Sequence, residues 1–439
     1  MTQGHVTAVD EVALICQNLL KIDTTNFGGN EGAGERAAAE YVMELLTEVG
    51  LEPEFYESAP GRSNVVVRLE GEDSSKPALV LHGHLDVVPA QADEWSVDPF
   101  GGELIDGMLW GRGAVDMKDM VAMMLAVVRH MAREGRKPSR DVIVGFFADE
   151  EAGGVYGAEW SVHNRPELFE GATEAISEVG GYSTMIAGQR AYLLQTAEKS
   201  LSWLRVLAEG RAGHGSQAAE DNAVTKVAAA IARIGQHKWQ YQTTPTVDAL
   251  LRGVSELTGL AYERENPELI DALIAAMGPA ARFVGTTVRN STNPTQLTAG
   301  YKANVVPRVA EATIDARFLP GYEDEAMATL RELAGPEVRF EPIHVAPALE
   351  VPFEGNLVDA MTSSLLAEDP GAVVLPYMLS GGTDNKSLSQ LGIVGYGFAP
   401  LQLPESLDFP AMFHGVDERV PVAALEFGVK VLDRLLANC

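Results

Sequence analysis

The chain has 439 residues, room for two domains with separate cores, and 46% of them are hydrophobic, which excludes a disordered protein. Its 62 acidic residues against 33 basic ones give a formal charge of -29, which speaks against nucleic acid and anionic membrane as partners, since both repel such a surface. The only cysteines, Cys16 and Cys439, exclude a disulfide scaffold and a Cys-rich zinc site. From the first residue, Met1 to Glu11 lacks the basic start and apolar stretch of a signal peptide. No apolar run reaches the about 18 residues of a membrane span, so a cytoplasmic protein is expected.

In chain order, Val9 to Ile22 has helical apolar spacing, and Glu35 to Gly50 reads as a second helix stopped by its glycine. Asn64 to Leu69 and Ala78 to Leu81 are apolar runs of strand length. Asp116 opens a long helical pattern through Met120, Met123, Met124, Val127 and Met131, a methionine stripe that reads as core. Asp141 to Phe147 is a continuous apolar strand, as in the middle of a covered sheet. After about Tyr192 the rhythm changes. Ser202 to Leu207 and Ala310 to Phe318 are strand candidates, with helical stretches at Asn222 to Gly235 and Pro267 to Met277 between them. Past Gly321 the helix–strand alternation resumes, with Ala326 to Leu333, Leu357 to Leu366 and Val420 to Leu436. The expected architecture is an α/β catalytic domain with helices on both sides of the sheet, formed by residues 1–195 and 318–439. A smaller α+β unit, residues 196–317, is inserted into it.

Acids and histidines cluster where strand patterns end: His84-Leu85-Asp86, Asp116, Glu150-Glu151, Glu178 and His414. In open α/β sheets ligands bind beyond the carboxyl ends of strands. Ala78 to Leu81 leads into His82-Gly83-His84-Leu85-Asp86, Val142 to Phe147 leads into Asp149-Glu150-Glu151, and Ala175 to Ser177 leads into Glu178. Two adjacent glutamates behind a buried strand make sense if a cation lies between them and the other acids. Imidazole nitrogen and carboxylate oxygen are good zinc ligands. Of an adjacent pair of glutamates, one can bind metal while the other moves a proton. His82 and His84 share a parity on an extended segment, so either can be the ligand on spacing alone. Asp86 favours His84 if the chain turns there, since a carboxylate can orient a ligand imidazole. Asp149 can support the site or be a loop acid.

Several of these strings resemble the co-catalytic dizinc peptidase and aminoacylase family, which includes acetylornithine deacetylase, succinyl-diaminopimelate desuccinylase, glutamate carboxypeptidase, aminoacylase and carboxypeptidase S. They are His82-Gly83-His84-Leu85-Asp86-Val87-Val88-Pro89, Gly111-Arg112-Gly113-Ala114-Val115-Asp116-Met117-Lys118 and Asp149-Glu150-Glu151, and the resemblance runs from about Ala13 to Leu436. Trp95 to Phe100 and Trp110 are most similar to the carboxypeptidase S and aminoacylase branch. The resemblance implies two Zn2+ per chain, with Co2+ or Mn2+ as substitutes. It implies that His84 and Glu178 bind the first metal and that Asp116 bridges both. Glu151 and His414 bind the second, Asp86 orients His84, and Glu150 is the general base. A cis peptide is implied after Asp116. A hydroxide bridging the metals would cleave the amide of an N-acyl amino acid, or of a short peptide with a free carboxylate. A narrow biosynthetic deacylase is the alternative, and a non-catalytic binding protein the remote one. His214, in Gly213-His214-Gly215-Ser216, would stabilise the oxyanion, and in this family it commonly reaches the partner subunit, which implies a homodimer through the inserted unit. Asn304 and Arg317 resemble contacts to the substrate carboxylate, and Gly382 and Thr383 belong to a loop that touches substrate.

Two features depart from the family pattern. The string after the lid histidine is Gly215-Ser216-Gln217-Ala218, and the segment Gln240 to Thr298 is longer and more helical than in minimal relatives. His5, His130, His163, His237 and His344 read as ordinary surface or core histidines. Gly111-Arg112-Gly113 lacks the third glycine of a dinucleotide loop, and no Walker A string or Gly-x-Ser-x-Gly elbow occurs.

Overall fold

A computed structural model describes residues 6–439; His5 lies outside them. Its centre is a ten-stranded mixed sheet. Ala78–His84 runs parallel to Val142–Phe147 on one side and to Ala172–Ser177 on the other, so three carboxyl ends open on the same edge. Arg62–Leu69 and Glu54–Ala59 extend the sheet antiparallel beyond Val142–Phe147. Val394–Gly397 and Gln189–Glu198 extend it the other way, and Val373–Leu379 lies parallel against Gln189–Glu198.

Period-two alternation divides the apolar runs between two cores. Leu79, Leu81, Val142, Val144 and Phe146 join the core shared with Ala8–Leu20, Lys118–Glu134 and Val422–Asn438. Ala78, Val80, Ile143 and Phe147 join the other, with Ala158, Val162 and Leu388. A sheet covered on both faces accounts for the unbroken apolar reading of these strands. Met120, Met123, Met124 and Met131 are fully buried, as their stripe suggested, although the helix starts at Lys118 and not at Asp116. Gly83 lets the Met117 side chain lie close against the strand: a Cβ there would lie 2.4 Å from Cε of Met117 and would force that side chain to move.

A second, four-stranded antiparallel sheet runs in the order Ser291–Ala299, Val309–Arg317, Leu201–Glu209, Arg339–Ala346. Ala223–Gln236 and Glu323–Ala334 contribute to the core beside it. This sheet differs from the expected 196–317 unit in two respects. Its fourth strand and second helix lie past residue 317. The helices Pro245–Thr258 and Pro267–Ala275 lie in the middle of the insertion, yet they bury Val247, Leu250, Leu251, Ile270 and Leu273 in the core of the large sheet. Among the described residues no helix is long and apolar enough to cross a membrane.

Candidate metal centre and active site

His84 ends its strand with Nε2 3.1 Å from Oδ1 of Asp116 and 3.5 Å from Oε2 of Glu178. On the other side of Asp116, Nε2 of His414 lies 3.3 Å from Oδ2 of Asp116 and 3.0 Å from Oε2 of Glu151. Two sets, His84–Asp116–Glu178 and Asp116–Glu151–His414, therefore share one carboxylate. The Asp116–Met117 peptide is cis. His82 stands apart: it is fully buried, 3.0 Å from Oδ1 of Asn385, and burial holds its pKa down at about 4. The structure thus brings His84, and not His82, to the acids.

The supports are as specific as the cluster. Nδ1 of His84 lies 3.0 Å from the backbone carbonyl of Asp86 and 3.5 Å from its carboxylate, so the main chain, more than the carboxylate, sets the ring and leaves Nε2 for a metal. The Asp86 carboxylate instead accepts the backbone N–H groups of Glu150 (3.1 Å) and Glu151 (3.2 Å) and the side-chain amide of Asn26 (2.9 Å). It locks the glutamate pair in place. Asp149 sits in the left-handed region at φ 66° and accepts from Asn26 and from the N–H of Tyr156, so it braces the same turn. Glu418, which sequence reasoning missed, is fully buried. It accepts the N–H groups of Gly113, Val115 and Asp116 and pairs with Arg112 at 2.8 Å, fixing the loop that carries Asp116.

Charge is the dominant physical fact of the site. Burial and Glu178 push the Glu150 carboxyl well above its usual range, and burial and Asp116 do the same for Glu178. Burial, with Asp116, also raises Glu151. Burial alone would lower the His84 pKa, but Glu178, Asp116 and Asp86 outweigh it and hold the imidazole well above its ordinary value. Hydrogen bonds to Asp116 and Glu151 lift His414 to about 10. Burial opposes ionisation of Asp116, but the two imidazoles overcome it and keep the carboxyl below its usual range. Oε1 of Glu151 is buried with no hydrogen-bond partner. Crowded acids, two imidazoles and an orphaned carboxylate oxygen form a donor set suited to cations. Oε2 of Glu150 lies 3.9 Å from Nε2 of His84, farther than any other acid of the cluster lies from its imidazole.

These residues open into a cavity of about 320 Å³. Arg317, Gly382 and Thr383 line it, and the polar groups of Arg317 and Thr383 are engaged. Arg317 grips Asp315 with two nitrogens, at 2.6 and 3.1 Å. Thr383 donates both its N–H (3.1 Å) and its hydroxyl (2.6 Å) to the buried Glu198, which also pairs with Lys386 at 3.2 Å. His344, expected to be an ordinary histidine, lines the cavity on the strand Arg339–Ala346, its ring 5.7 Å from that of Trp203. His214 and Asn304 are not among the lining residues. They are exposed at the short ribbon Gly213–His214 and Val305–Val306, where the N–H of Gly215 bonds the Asn304 carbonyl.

One carboxylate shared by two histidine–carboxylate sets, at the strand ends of an α/β sheet, defines the class as a metal-dependent hydrolase. The profile of peptidase family M20/M25/M40 matches residues 80–438, and the chain belongs to that family. It is 28% identical to aminoacylase-1 of Homo sapiens over 411 residues, covering 91% of this chain and 89% of that protein. It is likewise 28% identical to a probable carboxypeptidase S-like protein of Dictyostelium discoideum, covering 82% of this chain and 71% of the other. An M20 family metallo-carboxypeptidase from Sulfolobus solfataricus shares the fold at a TM-score of 0.73 and 16% identity, over 98% of this chain and 99% of that one. The chain is a hydrolase of amide or peptide bonds.

Proposed function

We propose that the chain cleaves the amide bond of N-acyl amino acids, or of short peptides that end in a free carboxylate. The observation that carries this reading is Asp116, whose two oxygens face His84 and His414 separately while Glu150 stands uncommitted beside them. His84, Asp116 and Glu178 would hold one ion, and Asp116, Glu151 and His414 the other. Zinc suits such a nitrogen and oxygen set, and cobalt or manganese can replace it. When bound, the two ions acidify a water and polarise the substrate carbonyl.

The chain's own groups do the rest. Glu150 accepts a proton on its carboxylate as water adds to the amide carbon, then returns it to the departing nitrogen. Asp86 holds that glutamate in place through its backbone N–H. Arg317 has the forked geometry to exchange Asp315 for a substrate carboxylate. Gly382 and Thr383 line the same cavity and would contact the substrate. The names of the relatives, an aminoacylase and a carboxypeptidase-like protein, support a substrate with an amino-acid carboxylate. His214 would stabilise the oxyanion and Asn304 would contact the substrate carboxylate. Because neither lines the cavity of its own chain, we place both in the site of a partner subunit, within a homodimer formed through the smaller sheet.

Glu150→Ala, purified with both ions bound, should lose about 100- to 10,000-fold in kcat. Near-normal turnover with both ions present would refute the mechanism. Metal content per chain, measured beside hydrolysis of acyl amino acids and dipeptides before and after chelation, separates broad from narrow deacylation.

A further inference from the structure

The cavity has an apolar side as well as an acidic one, and the segment that departs from the family pattern contributes Phe283 to it. Between the strands Leu201–Glu209 and Ser291–Ala299 the chain leaves the small sheet and packs three helices on the large core. The last of these, Ala281–Val284, buries Val284 and leaves Phe283 only partly covered, facing the cavity. There its ring meets the edge of Phe413, the residue before His414, with centroids 5.2 Å apart and planes at 76°. Phe409 backs Phe413 at 5.3 Å, and Tyr182 backs Phe283 at 6.2 Å. Val179, next to Glu178, and Leu379 are further apolar residues lining the cavity.

The segment is pinned where it matters. Lys199, fully buried at the junction of the two sheets, donates through Nζ to the carbonyls of Thr286 (3.1 Å) and Arg289 (2.8 Å) and lies 3.3 Å from Oγ of Ser291. Three residues before this anchor, Phe283 is therefore presented by a fixed backbone. An aromatic ring held partly bare inside a cavity is apolar area that only a ligand can cover, and pockets of this kind select by shape and hydrophobicity.

We propose that Phe283 is a specificity-determining residue which, with Phe413, Val179 and Leu379, forms a subsite for an aromatic or branched aliphatic group of the substrate. The inference rests on the amide-hydrolase reading above. The group can come from the amino-acid side chain or from the acyl moiety, and the choice of probes distinguishes the two.

The test uses the zinc-loaded full chain and its Phe283→Ala and Phe283→Leu variants, with N-acetylglycine, N-acetylphenylalanine and N-phenylacetylglycine as substrates. The wild-type chain should prefer at least one aromatic probe over N-acetylglycine in kcat/KM, and the preferred probe identifies the source of the group. Phe283→Ala should cut that preference ratio roughly 10- to 200-fold, the range expected for a lost apolar contact. Phe283→Leu should fall between the two, and it carries the test if the alanine variant does not fold. A ratio that changes by less than about threefold in both variants, or a wild-type chain with no aromatic preference, would overturn the subsite and leave the hydrolase reading standing. No wild-type turnover of any probe, nor of a dipeptide panel run beside them, would overturn both.

Discussion

Removing Glu418 tests whether the metal centre depends on a buried support that binds no ion. Its carboxylate is fully buried and accepts the N–H groups of Gly113 (3.0 Å), Val115 (2.7 Å) and Asp116 (3.2 Å), while pairing with Arg112, itself 3% exposed. Glu418→Ala strands three donors and a buried guanidinium together. Breaking a buried pair by deleting one partner costs about 3–5 kcal/mol. Arg112 keeps the Gly415 carbonyl at 2.9 Å and the face of Trp95 at 5.2 Å, which softens its share of the loss. The three N–H groups have no such substitute, so a destabilisation of about 4 kcal/mol is expected, a large part of the total stability of an ordinary domain. Glu418→Gln keeps an acceptor oxygen but loses the charge, and should cost about half as much. Urea denaturation gives both values. Because the same bonds hold Asp116, the folded fraction of either variant should also bind zinc more weakly in a competition assay. A Glu418→Ala chain within about 1 kcal/mol of wild type, with unchanged zinc affinity, would refute this account.

Metal binding should expel protons. The ion-free protein keeps His84 protonated well above its usual range and His414 protonated up to about pH 10, and ligation requires both as neutral imidazoles. Near neutral pH two or more protons should therefore leave per chain, so zinc affinity should fall as the pH falls, about tenfold per pH unit for each proton released. Calorimetry in buffers of different ionisation enthalpy counts those protons, and a count of zero would contradict the electrostatics. If His214 acts across a dimer, mixing inactive Glu150→Ala and His214→Ala chains under subunit exchange should restore about a quarter of wild-type sites, because half the dimers are mixed and each holds one intact site. No recovery, with exchange proven by sedimentation, would remove His214 from the partner's site. Glu198→Gln, which leaves Lys386 without its buried carboxylate and weakens the hold on Thr383, should raise KM more than it lowers kcat, as steady-state kinetics would report.

The clustered acids and histidines were legible in the sequence because their chemistry lies in the residue type and their position follows from a local rule. Three apolar runs end in His84, Glu150-Glu151 and Glu178, and the parallel pairing of those strands brings the three ends together. The methionine stripe was legible for the same reason, since helical spacing is local and its burial followed. The strand Arg339–Ala346 was not legible. Pro342 interrupts it, and Ile343 and Val345 stay exposed because it lies at the edge of its sheet, so only pairing with Leu201–Glu209 makes it a strand.

The remaining failures share one cause, which is that they depend on pairing across long stretches of chain. Glu418 lies 302 residues from Asp116, and nothing near it in sequence distinguishes a carboxylate that accepts three N–H groups from a solvated one. Asp86 was read as orienting the His84 ring, and its carboxylate does lie 3.5 Å from Nδ1, but nothing local shows that the same carboxylate accepts the backbone N–H groups of Glu150 and Glu151, which come from a different strand end. The helices of 245–284 have the amphipathic faces of an inserted unit, but amphipathicity names a buried face without naming what covers it. Their partner is the large sheet, and the consequence is chemical. Packing there, and not on the small sheet, brings Phe283 to the ring of Phe413, the residue before the proposed ligand His414. In this chain the proposed metal ligands read out from short motifs, while the groups that hold them and shape the space beside them are set by which core each segment joins.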